Sequence, residues 1–411
     1  MSTSTIPPRQ SGPERSHTKA YIATAIGTVV MIVLGWLLLR GITDASSHPL
    51  TTLNPRGVQS QKIQDLVVKV FSVAGIVFVL VEGGVLYLIF RFRRRKDEVD
   101  GVDEPRQIHG ANRLEWGWTI APAIVLAVLA VFNVQTIWSL ENDATSKPDM
   151  KVTVVGQQWW WEFRYDTNDD GKPDIITVGQ MVVPVGKTIA VTIKSNDVIH
   201  SFWIPALNGK KDAVPGYAHT IAFHAKKTGI FEGQCTEFCG LSHGYMRMQV
   251  KSLSQSDFDT WEANQLKPSV EPTAGTSAAA GKELFFQKCA GCHQINGYSD
   301  LGKATDTTTP DPEYIGAAHP LLSGNAPNLT HLMSRERFAG AMFQLYSSYD
   351  KGAGPETASP SGTPNQGELG DWLRNPPNKK PMDPDGKRGM PNLKLSEDEI
   401  SKLVDYLTTL K

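Results

Sequence analysis

The 411-residue sequence has few cysteines and no excess of charge of either sign. Its 41 basic and 42 acidic residues leave a net charge of −1, so no overall basic field indicates a nucleic-acid partner. The four cysteines fall in two short motifs, which leaves none for a disulfide framework. The sequence has no internal repeat, and its length indicates two or three domains.

Three long apolar segments lie in the first third of the chain, at residues 21–39, 67–90 and about 116–138. Each is long enough to cross the hydrocarbon core of a bilayer, which takes about 20 apolar residues. We predict an N-terminal apolar segment within residues 1–48 and a transmembrane helix hairpin within residues 49–145. The first segment is either a retained helix or a signal peptide, and its long apolar core favours a retained helix.

Basic residues beside these segments predict their orientation. The loop after the second segment begins with "RFRRRKDEV", and the first 20 residues carry Arg9, Arg15 and Lys19. Both stretches belong on the cytoplasmic side by the positive-inside rule. Membrane lipid is therefore an expected partner of the helices, and the chain beyond residue 140 is expected on the outer side.

The outer part of the chain is predicted to form two domains. Short alternating segments such as "KVTVVGQ" and "TIAVTIKS" predict an antiparallel β-sandwich or barrel over residues 146–262. Residues 263–281 are rich in Pro, Ala, Gly, Ser and Thr and predict a flexible linker with a span of roughly 20–25 Å. Helical patterns follow over residues 282–411, in "GKELFFQKC", "RERFAGAMFQLY", "GELGDWLRN" and "SEDEISKLVDYLTTL". The last begins with a capping box of Ser396 and Glu399.

An acidic stretch, "DTNDDG" at residues 166–171, matches the first ligand positions of an EF-hand calcium loop. Thr177 stands where such a loop needs a bidentate glutamate, and strands flank the stretch instead of helices. We therefore predict a solvated hairpin turn here, not a calcium site.

The stretch "GQCTEFCGLSHGYM" at residues 233–246 places several soft metal ligands on one loop, and His200 lies upstream in "VIHSFWIP". Zinc could take Cys235, Cys239 and two histidines, but such a site gives Met246 no role. A disulfide between the cysteines, feasible outside the cell, explains neither the histidines nor Met246. Two bridging thiolates could instead hold two copper ions with one histidine each, because copper accepts thioethers more readily than zinc does. Met246 and the carbonyl oxygen of Glu237 would complete this dinuclear site, which suits electron transfer.

The stretch "KCAGCH" at residues 288–293 contains C-x2-C-H, the attachment signature of c-type haem. Cys289 and Cys292 would form the thioether bonds, and His293 would be the first axial ligand of the iron. A methionine in the C-terminal half is expected as the second ligand. Met390, in "GMPNLKLSEDEISKLVDYL", is preferred over Met382. Two further methionines are expected in the core: Met333 and Met342.

Residues from about 50 to 255 resemble subunit II of haem-copper cytochrome c oxidases. The resemblance rests on "LEWGWTIAPA", "GQQWWWEFRY", "VIHSFWIPAL", "KKDAVPG" and "CTEFCGLSHGYM". "CAGCH" and the segment around Met390 resemble class I cytochromes c, so the whole chain resembles subunit II of a caa-type oxidase. The implied fold is a multidomain membrane protein. It would contain a two-helix transmembrane hairpin plus one N-terminal apolar helix, an all-β cupredoxin sandwich and an all-α class I cytochrome c domain.

The resemblance implies a role for each matching residue. Trp159 matches an exposed tryptophan that accepts electrons from cytochrome c, with a core aromatic as the alternative. Its neighbours Trp160 and Trp161 alternate between faces, so at least one of the three is expected to be buried. Glu115 matches a glutamate at the mouth of a proton pathway into subunit I, with a plain interfacial carboxylate as the alternative. The Glu237 side chain would bind magnesium or manganese where the two subunits meet. The implied copper ligands are His200, Cys235, the Glu237 carbonyl, Cys239, His243 and Met246.

The implied function is electron transfer from haem c to the dinuclear copper and on to subunit I, where oxygen is reduced to water and protons are pumped. Implied partners are subunits I and III and an electron donor, either a cytochrome bc complex or a soluble cytochrome. The implied location is a bacterial plasma membrane, with both extramembrane domains on the periplasmic or extracellular side. Two alternatives stay open: an electron-input subunit of a nitric oxide or nitrous oxide reductase, and a copper-binding assembly or sensor protein. Tyr217 follows "DAVPG" where the family often has arginine, so no ion pair to subunit I is predicted there.

Overall fold

The structure is a computed structural model that describes residues 18–42, 49–93, 110–169, 171, 173–295, 326–349, 360–385 and 388–411. These residues form two compact units. One unit contains most of the three apolar helices. The other contains the chain from residue 135 onward together with residues 49–64.

Three helices form the membrane part of the chain: α1 (Thr18–Ile42), α2 (Val58–Phe92) and α3 (Asn112–Thr145). Each is long and apolar enough to cross a membrane. Tyr21 of α1 stacks on Tyr87 of α2 with ring centroids 5.5 Å apart. The three predicted spans are confirmed. The basic loop that predicts their orientation, at residues 94–109, lies outside the described residues.

Two five-stranded sheets form the β-domain, in the orders β3-β2-β1-β5-β8 and β4-β10-β9-β6-β7. Neighbouring strands are antiparallel except for the pairs β1–β5 and β4–β10, which are parallel. The strands are β1 (Met150–Gln157), β2 (Trp160–Tyr165), β3 (Ile175–Val178), β4 (Gln180–Pro184), β5 (Thr188–Ser195), β6 (His200–Trp203), β7 (Lys211–Ala213), β8 (His219–His224), β9 (Gly229–Cys235) and β10 (Arg247–Leu253).

The alternation of side chains along the strands places the apolar core inside the sandwich. In β5, Ile189, Val191 and Ile193 are all fully buried, while the residues between them are partly exposed. Helix α4 (Gln255–Gln265) packs beside the sandwich, with the ring of Trp261 5.3 Å from that of Tyr165. The predicted β-sandwich is therefore confirmed.

The acidic stretch at residues 166–171 joins β2 to β3, which pair as an antiparallel hairpin. The Asp166 carboxylate accepts a hydrogen bond of 2.7 Å from the backbone N–H of Gly171. The described residues of the stretch form the predicted hairpin turn.

The described residues of the C-terminal domain form four α-helices: α5 (Ser277–Lys288), α6 (Gln366–Arg374), α7 (Pro376–Lys379) and α8 (Glu397–Leu407). Helices α5 and α8 pack closely, with Phe285 edge-on to Tyr406 at 5.7 Å. Gly281 permits this contact, because a Cβ atom there would overlap the carbonyl of Lys402. The predicted capping box of Ser396 and Glu399 is present at the start of α8.

One predicted helix is wrong. The stretch "RERFAGAMFQLY" at residues 335–346 contains a hairpin of β11 (Arg337–Phe338) and β12 (Phe343–Gln344). Its turn residues Ala339, Gly340 and Ala341 have φ angles of 53°, 78° and 57°, which an α-helix cannot contain. A second small hairpin follows, formed by β13 (Tyr346–Tyr349) and β14 (Gly362–Pro364).

The segment predicted as a flexible linker is shorter than expected, and its first residues contact the C-terminal domain. Helix α4 extends to Gln265, and α5 begins at Ser277 because the Thr276 hydroxyl caps it. Only residues 266–276 lie between these helices. His331 of the C-terminal domain lies 3.1 Å and 3.0 Å from the carbonyl oxygens of Gln265 and Lys267. The segment therefore differs from the free tether that its composition predicted.

Candidate metal centre and haem pocket

The six residues predicted as copper ligands lie together at one end of the β-sandwich. The Cys235 and Cys239 sulfurs are 3.9 Å apart, and the Cys235 sulfur is 3.9 Å from His200 Nδ1 and 3.3 Å from the Glu237 carbonyl oxygen. The Cys239 sulfur is 3.5 Å from His243 Nδ1 and 3.8 Å from the Met246 sulfur. The two cysteine sulfurs thus lie side by side, and each of the other donor atoms is close to one of them.

Strand ends and a closed loop hold these ligands. His200 begins β6, and Cys235 ends β9, its hydrogen-bonded neighbour in the sheet. The loop from Cys235 to Met246, called the metal loop below, contains a 3₁₀ turn at His243–Tyr245. The N–H of Cys235 donates to the Met246 carbonyl at 2.9 Å, so a backbone bond closes the loop. A loop closed in this way resists rearrangement.

Asp197 fixes the orientation of the His200 ring. Its carboxylate lies 2.8 Å from His200 Nε2, so Nε2 carries the proton and Nδ1 faces the cysteine pair with a free lone pair. Burial lowers the pKa of His200, but hydrogen bonds with Asp197 and Cys235 outweigh burial and raise it. Burial raises the pKa of Asp197, but hydrogen bonds from His200 and the N–H groups of Gln158 and Val198 outweigh it and keep that pKa low.

The two thiols are electrostatically coupled. A hydrogen bond from Cys239 lowers the pKa of Cys235 to about 4, and the same interaction raises the pKa of Cys239. Cys235 is therefore the thiol that loses its proton more readily. Cys235 and Cys239 would both hold copper as thiolates, since metal ligation requires the deprotonated form.

The chemistry of the donor set fits paired copper better than the two alternatives. Cys235 and Cys239 are free thiols at 3.9 Å, so they do not form the disulfide considered above. Met246 is fully buried with its sulfur turned to Cys239. A zinc site would leave this thioether unused, whereas copper accepts it.

Trp159 connects this loop to the rest of the domain. Its indole N–H donates to the Cys239 carbonyl at 3.0 Å, and the Gln158 side-chain amide donates to the same oxygen at 2.7 Å. The expectation of an exposed Trp159 is wrong: only 3% of its surface is accessible, because the C-terminal domain covers it. Trp160 and Trp161 are buried as well.

A cavity beside Trp159 contains the whole predicted haem attachment site. Cys289, Cys292 and His293 line it, and Met390 lines it as well. His293 Nδ1 donates to the Pro327 carbonyl at 2.8 Å, which leaves Nε2 unprotonated for an iron atom. Burial also lowers the pKa of His293, which favours the neutral ring. The residues present therefore fit a covalently attached haem.

Met390 is better placed than Met382 to be the second axial ligand. Met390 lines the cavity, and its sulfur accepts a hydrogen bond of 3.1 Å from the Trp372 indole. Among the described residues, Met382 does not line the cavity. Met333, expected in the core, is buried there.

Residues of both outer domains line this one cavity. The β-domain contributes Trp159 and Trp160, and the C-terminal domain contributes the haem attachment motif. Trp159 thus borders the cavity on one side and bonds to the Cys239 carbonyl on the other.

Three family models match successive parts of the chain. Residues 150–253 match the family model of the cytochrome c oxidase subunit II periplasmic domain, residues 54–136 match that of its transmembrane domain, and residues 278–411 match cytochrome c. A cytochrome c oxidase subunit 2 of Alkalihalophilus pseudofirmus is 31% identical over 377 residues, covering 88% of this chain and 91% of that one. The proteins of the same name from Bacillus sp. strain PS3 and Bacillus subtilis strain 168 are 31% and 29% identical. They match 78% and 93% of this chain and 80% and 97% of their own lengths.

The chain belongs to the cytochrome c oxidase subunit 2 family. It is a membrane protein that combines the subunit 2 periplasmic domain with a cytochrome c domain. Copper and haem c are the cofactors that these two domains imply. Below, the β-domain is called the cupredoxin domain and the C-terminal domain the cytochrome domain.

Two residues that the family resemblance singled out are not among the donor residues of the loop. Glu115 is on the first turn of α3 in the membrane unit, where its carboxylate accepts a hydrogen bond of 3.1 Å from the Ala111 N–H. Tyr217 is 67% exposed on the cupredoxin domain and stacks on His219. A proton-pathway role for Glu115 stays a prediction.

Sequence reasoning missed several residues of this subunit 2 site. Asp197 carried a signal, because a carboxylate three residues before a histidine ligand can orient its ring. Lys380, Arg388 and Pro381 carried none. They belong to the cytochrome domain, more than a hundred residues from the metal loop in sequence. Lys380 contacts Trp159, Arg388 contacts Asp197, and the carbonyl oxygen of Pro381 accepts a hydrogen bond from Ser242.

Proposed function

We propose that this chain is the electron-input subunit of a caa-type cytochrome c oxidase. Haem c, held by Cys289, Cys292, His293 and Met390, would deliver one electron at a time to a dinuclear copper centre on the cupredoxin loop. No bond is made or broken in this transfer. Subunit I would then use four electrons and four protons to reduce each oxygen molecule to two waters, with coupled proton pumping.

The observation that carries the proposal is the position of Trp159. It borders the cavity that contains the haem attachment motif, and its indole is hydrogen-bonded to Cys239 of the metal loop. Electron transfer depends on close, fixed contact between donor and acceptor sites. The Trp159 side chain supplies that contact between the haem cavity and the metal loop.

The residues around the metal loop support a role in electron transfer over one in metal delivery. His200, Cys235, Cys239 and Met246 are all at most 4% exposed, and a backbone hydrogen bond closes the loop that carries three of them. A carrier that releases copper needs accessible ligands. A buried, rigid set keeps its geometry when the metal changes oxidation state, which lowers the reorganisation required.

The proposed partners are subunits I and III in a bacterial plasma membrane, with a cytochrome bc complex or a soluble cytochrome as the donor. The tip of the metal loop exposes 77% of Phe238 and 58% of Leu241. Such an apolar pair beside the metal ligands supports a protein contact at this point. Glu237, between the cysteines, would bind magnesium or manganese at the same contact, and Glu115 would lie at the mouth of a proton pathway.

Purification of the intact complex tests the proposal. Mass spectrometry should identify a haem-copper subunit I, and the reduced complex should consume oxygen. A complex that reduces nitric oxide or nitrous oxide and fails to consume oxygen would contradict the oxidase assignment. A chain purified without a catalytic partner, with copper that a chelator removes at once, would instead indicate an assembly or sensor protein.

A further inference from the structure

The hairpin β11–β12 of the cytochrome domain lies directly on the cupredoxin domain beside the metal loop. At its turn, the Gly340 carbonyl accepts a hydrogen bond of 3.0 Å from the N–H of Arg247, the residue after Met246. A Cβ atom on Gly340 would lie 2.5 Å from the Tyr245 carbonyl oxygen and 3.1 Å from that of Trp159. The turn therefore fits against the loop with no room for a side chain.

Lys380 joins the same contact from a different part of the cytochrome domain. Its Nζ atom lies 2.6 Å from the Trp159 carbonyl oxygen and 3.1 Å from the Ala339 carbonyl oxygen. One amino group thus bonds at once to the hairpin turn and to the tryptophan that contacts the metal loop. This bond fixes the turn relative to Trp159.

A second contact between the two domains involves the residue just before β11. Lys251 of β10 and Glu336 of the cytochrome domain form an ion pair of 2.7 Å, with side chains 0% and 3% exposed. Gln180 also donates to the Glu336 carboxylate. Charges this completely dehydrated need their partners at fixed positions. Such a contact belongs to a permanent interface and would not suit a domain that repeatedly docks and leaves.

We propose that the turn Ala339–Gly340–Ala341 and Lys380 form a docking element that holds the cytochrome domain in one fixed position over the metal loop. The inference rests on the proposed function and adds the residues that position the haem domain relative to the metal loop. It also implies that Trp159 is closed to an external cytochrome c, so an external donor must reduce the attached haem. The affected step is a one-electron transfer that oxidises the haem iron and reduces the copper pair.

The test uses the intact complex with Gly340→Ala. The added methyl group must push the turn away from Tyr245, whereas Gly367→Ala, the control at the start of α6, meets no atom closer than 3.9 Å. Haem and copper contents should stay at wild-type values in both variants. After flash photoreduction of the haem, the rate of copper reduction in Gly340→Ala should fall by about tenfold or more, because small misplacements of reacting groups are costly. Proteolysis of residues 266–276 should also become faster in this variant.

A second variant protects the test against misfolding. Lys380→Met removes the bonds to the Trp159 and Ala339 carbonyls without adding volume, and exposed Lys227→Met is its control. Wild-type internal rates and wild-type proteolysis in both Gly340→Ala and Lys380→Met would overturn the docking element. Wild-type protein without paired copper or haem c would instead overturn the proposed function, so the two failures are distinguishable.

Discussion

The indole nitrogen of Trp159 lies 3.0 Å from the carbonyl oxygen of Cys239. This bond links the surface of the haem cavity to the peptide that carries a central ligand of the metal loop. The carbonyl group of the same tryptophan accepts a hydrogen bond from Lys380 of the cytochrome domain. Trp159 is therefore one of the residues at which the two outer domains meet.

Trp159→Phe should slow electron transfer between the two sites while leaving both cofactors bound. Phenylalanine keeps the apolar ring but cannot donate to the Cys239 carbonyl. We expect the internal transfer rate after haem photoreduction to fall by about tenfold or more, since the contact between the sites is lost. Trp261→Phe is the control, because that buried tryptophan packs on Tyr165. It should lower stability and leave the transfer rate unchanged, and equal rates in all three proteins would refute the role of Trp159.

Asp197→Asn should weaken copper binding. Asparagine can still accept a hydrogen bond from His200 Nε2, but it lacks the negative charge that makes the ring a stronger ligand. Loss of such an outer partner typically lowers metal affinity by about 10–100-fold. Titration with a copper chelator measures the change. Asp169→Asn, at an exposed position, should bind copper like the wild type; an unchanged affinity in Asp197→Asn would contradict the orienting role.

Met390→His should lower the reduction potential of haem c. A thioether ligand raises the potential of haem iron relative to a second imidazole. The substitution should therefore remove the methionine–iron absorption band, and the lower haem potential should increase the driving force for electron transfer from haem to copper. Met382→His is the matched variant and should retain the wild-type spectrum. Loss of the band in Met382→His alone would transfer the ligand role to Met382.

The ion pair between Lys251 and Glu336 should contribute to stability only as a pair. Glu336→Gln leaves a buried ammonium group without its counter-charge, and breaking such a pair typically costs about 3–5 kcal/mol of unfolding free energy. The double variant Lys251→Met, Glu336→Leu should recover much of this loss. Lys62→Met is the control, because its pair with Asp143 is partly exposed and is worth about 1 kcal/mol or less. Chemical unfolding followed by haem absorbance measures the wild type and the three variants, and a double variant no more stable than Glu336→Gln would contradict the coupling.

The sequence was informative where the required chemistry is local. The spacing of Cys235, Cys239, His243 and Met246 lies within one loop, so pattern alone brings these donors together. The apolar spans and the alternating strands are also local signals, and the structure contains them as predicted.

Contacts between domains could not be predicted in this way. The burial of Trp159 depends on Lys380, which lies 221 residues away in sequence. The stretch at residues 335–346 has apolar spacing compatible with a helix, but its turn takes positive φ angles where it fits against Tyr245 and Arg247. Tertiary contact decides the conformation there, and no short window of sequence contains it.

The most direct test of the account is the metal content of the protein purified from a copper-replete host, together with its electron paramagnetic resonance spectrum. We expect two copper ions for each haem c, and a hyperfine pattern from one unpaired electron shared equally between two copper nuclei. Cys235→Ser should abolish that pattern, because it removes a bridging sulfur. Zinc in the site, no copper at all, or a shared-electron signal that persists in Cys235→Ser would contradict the account.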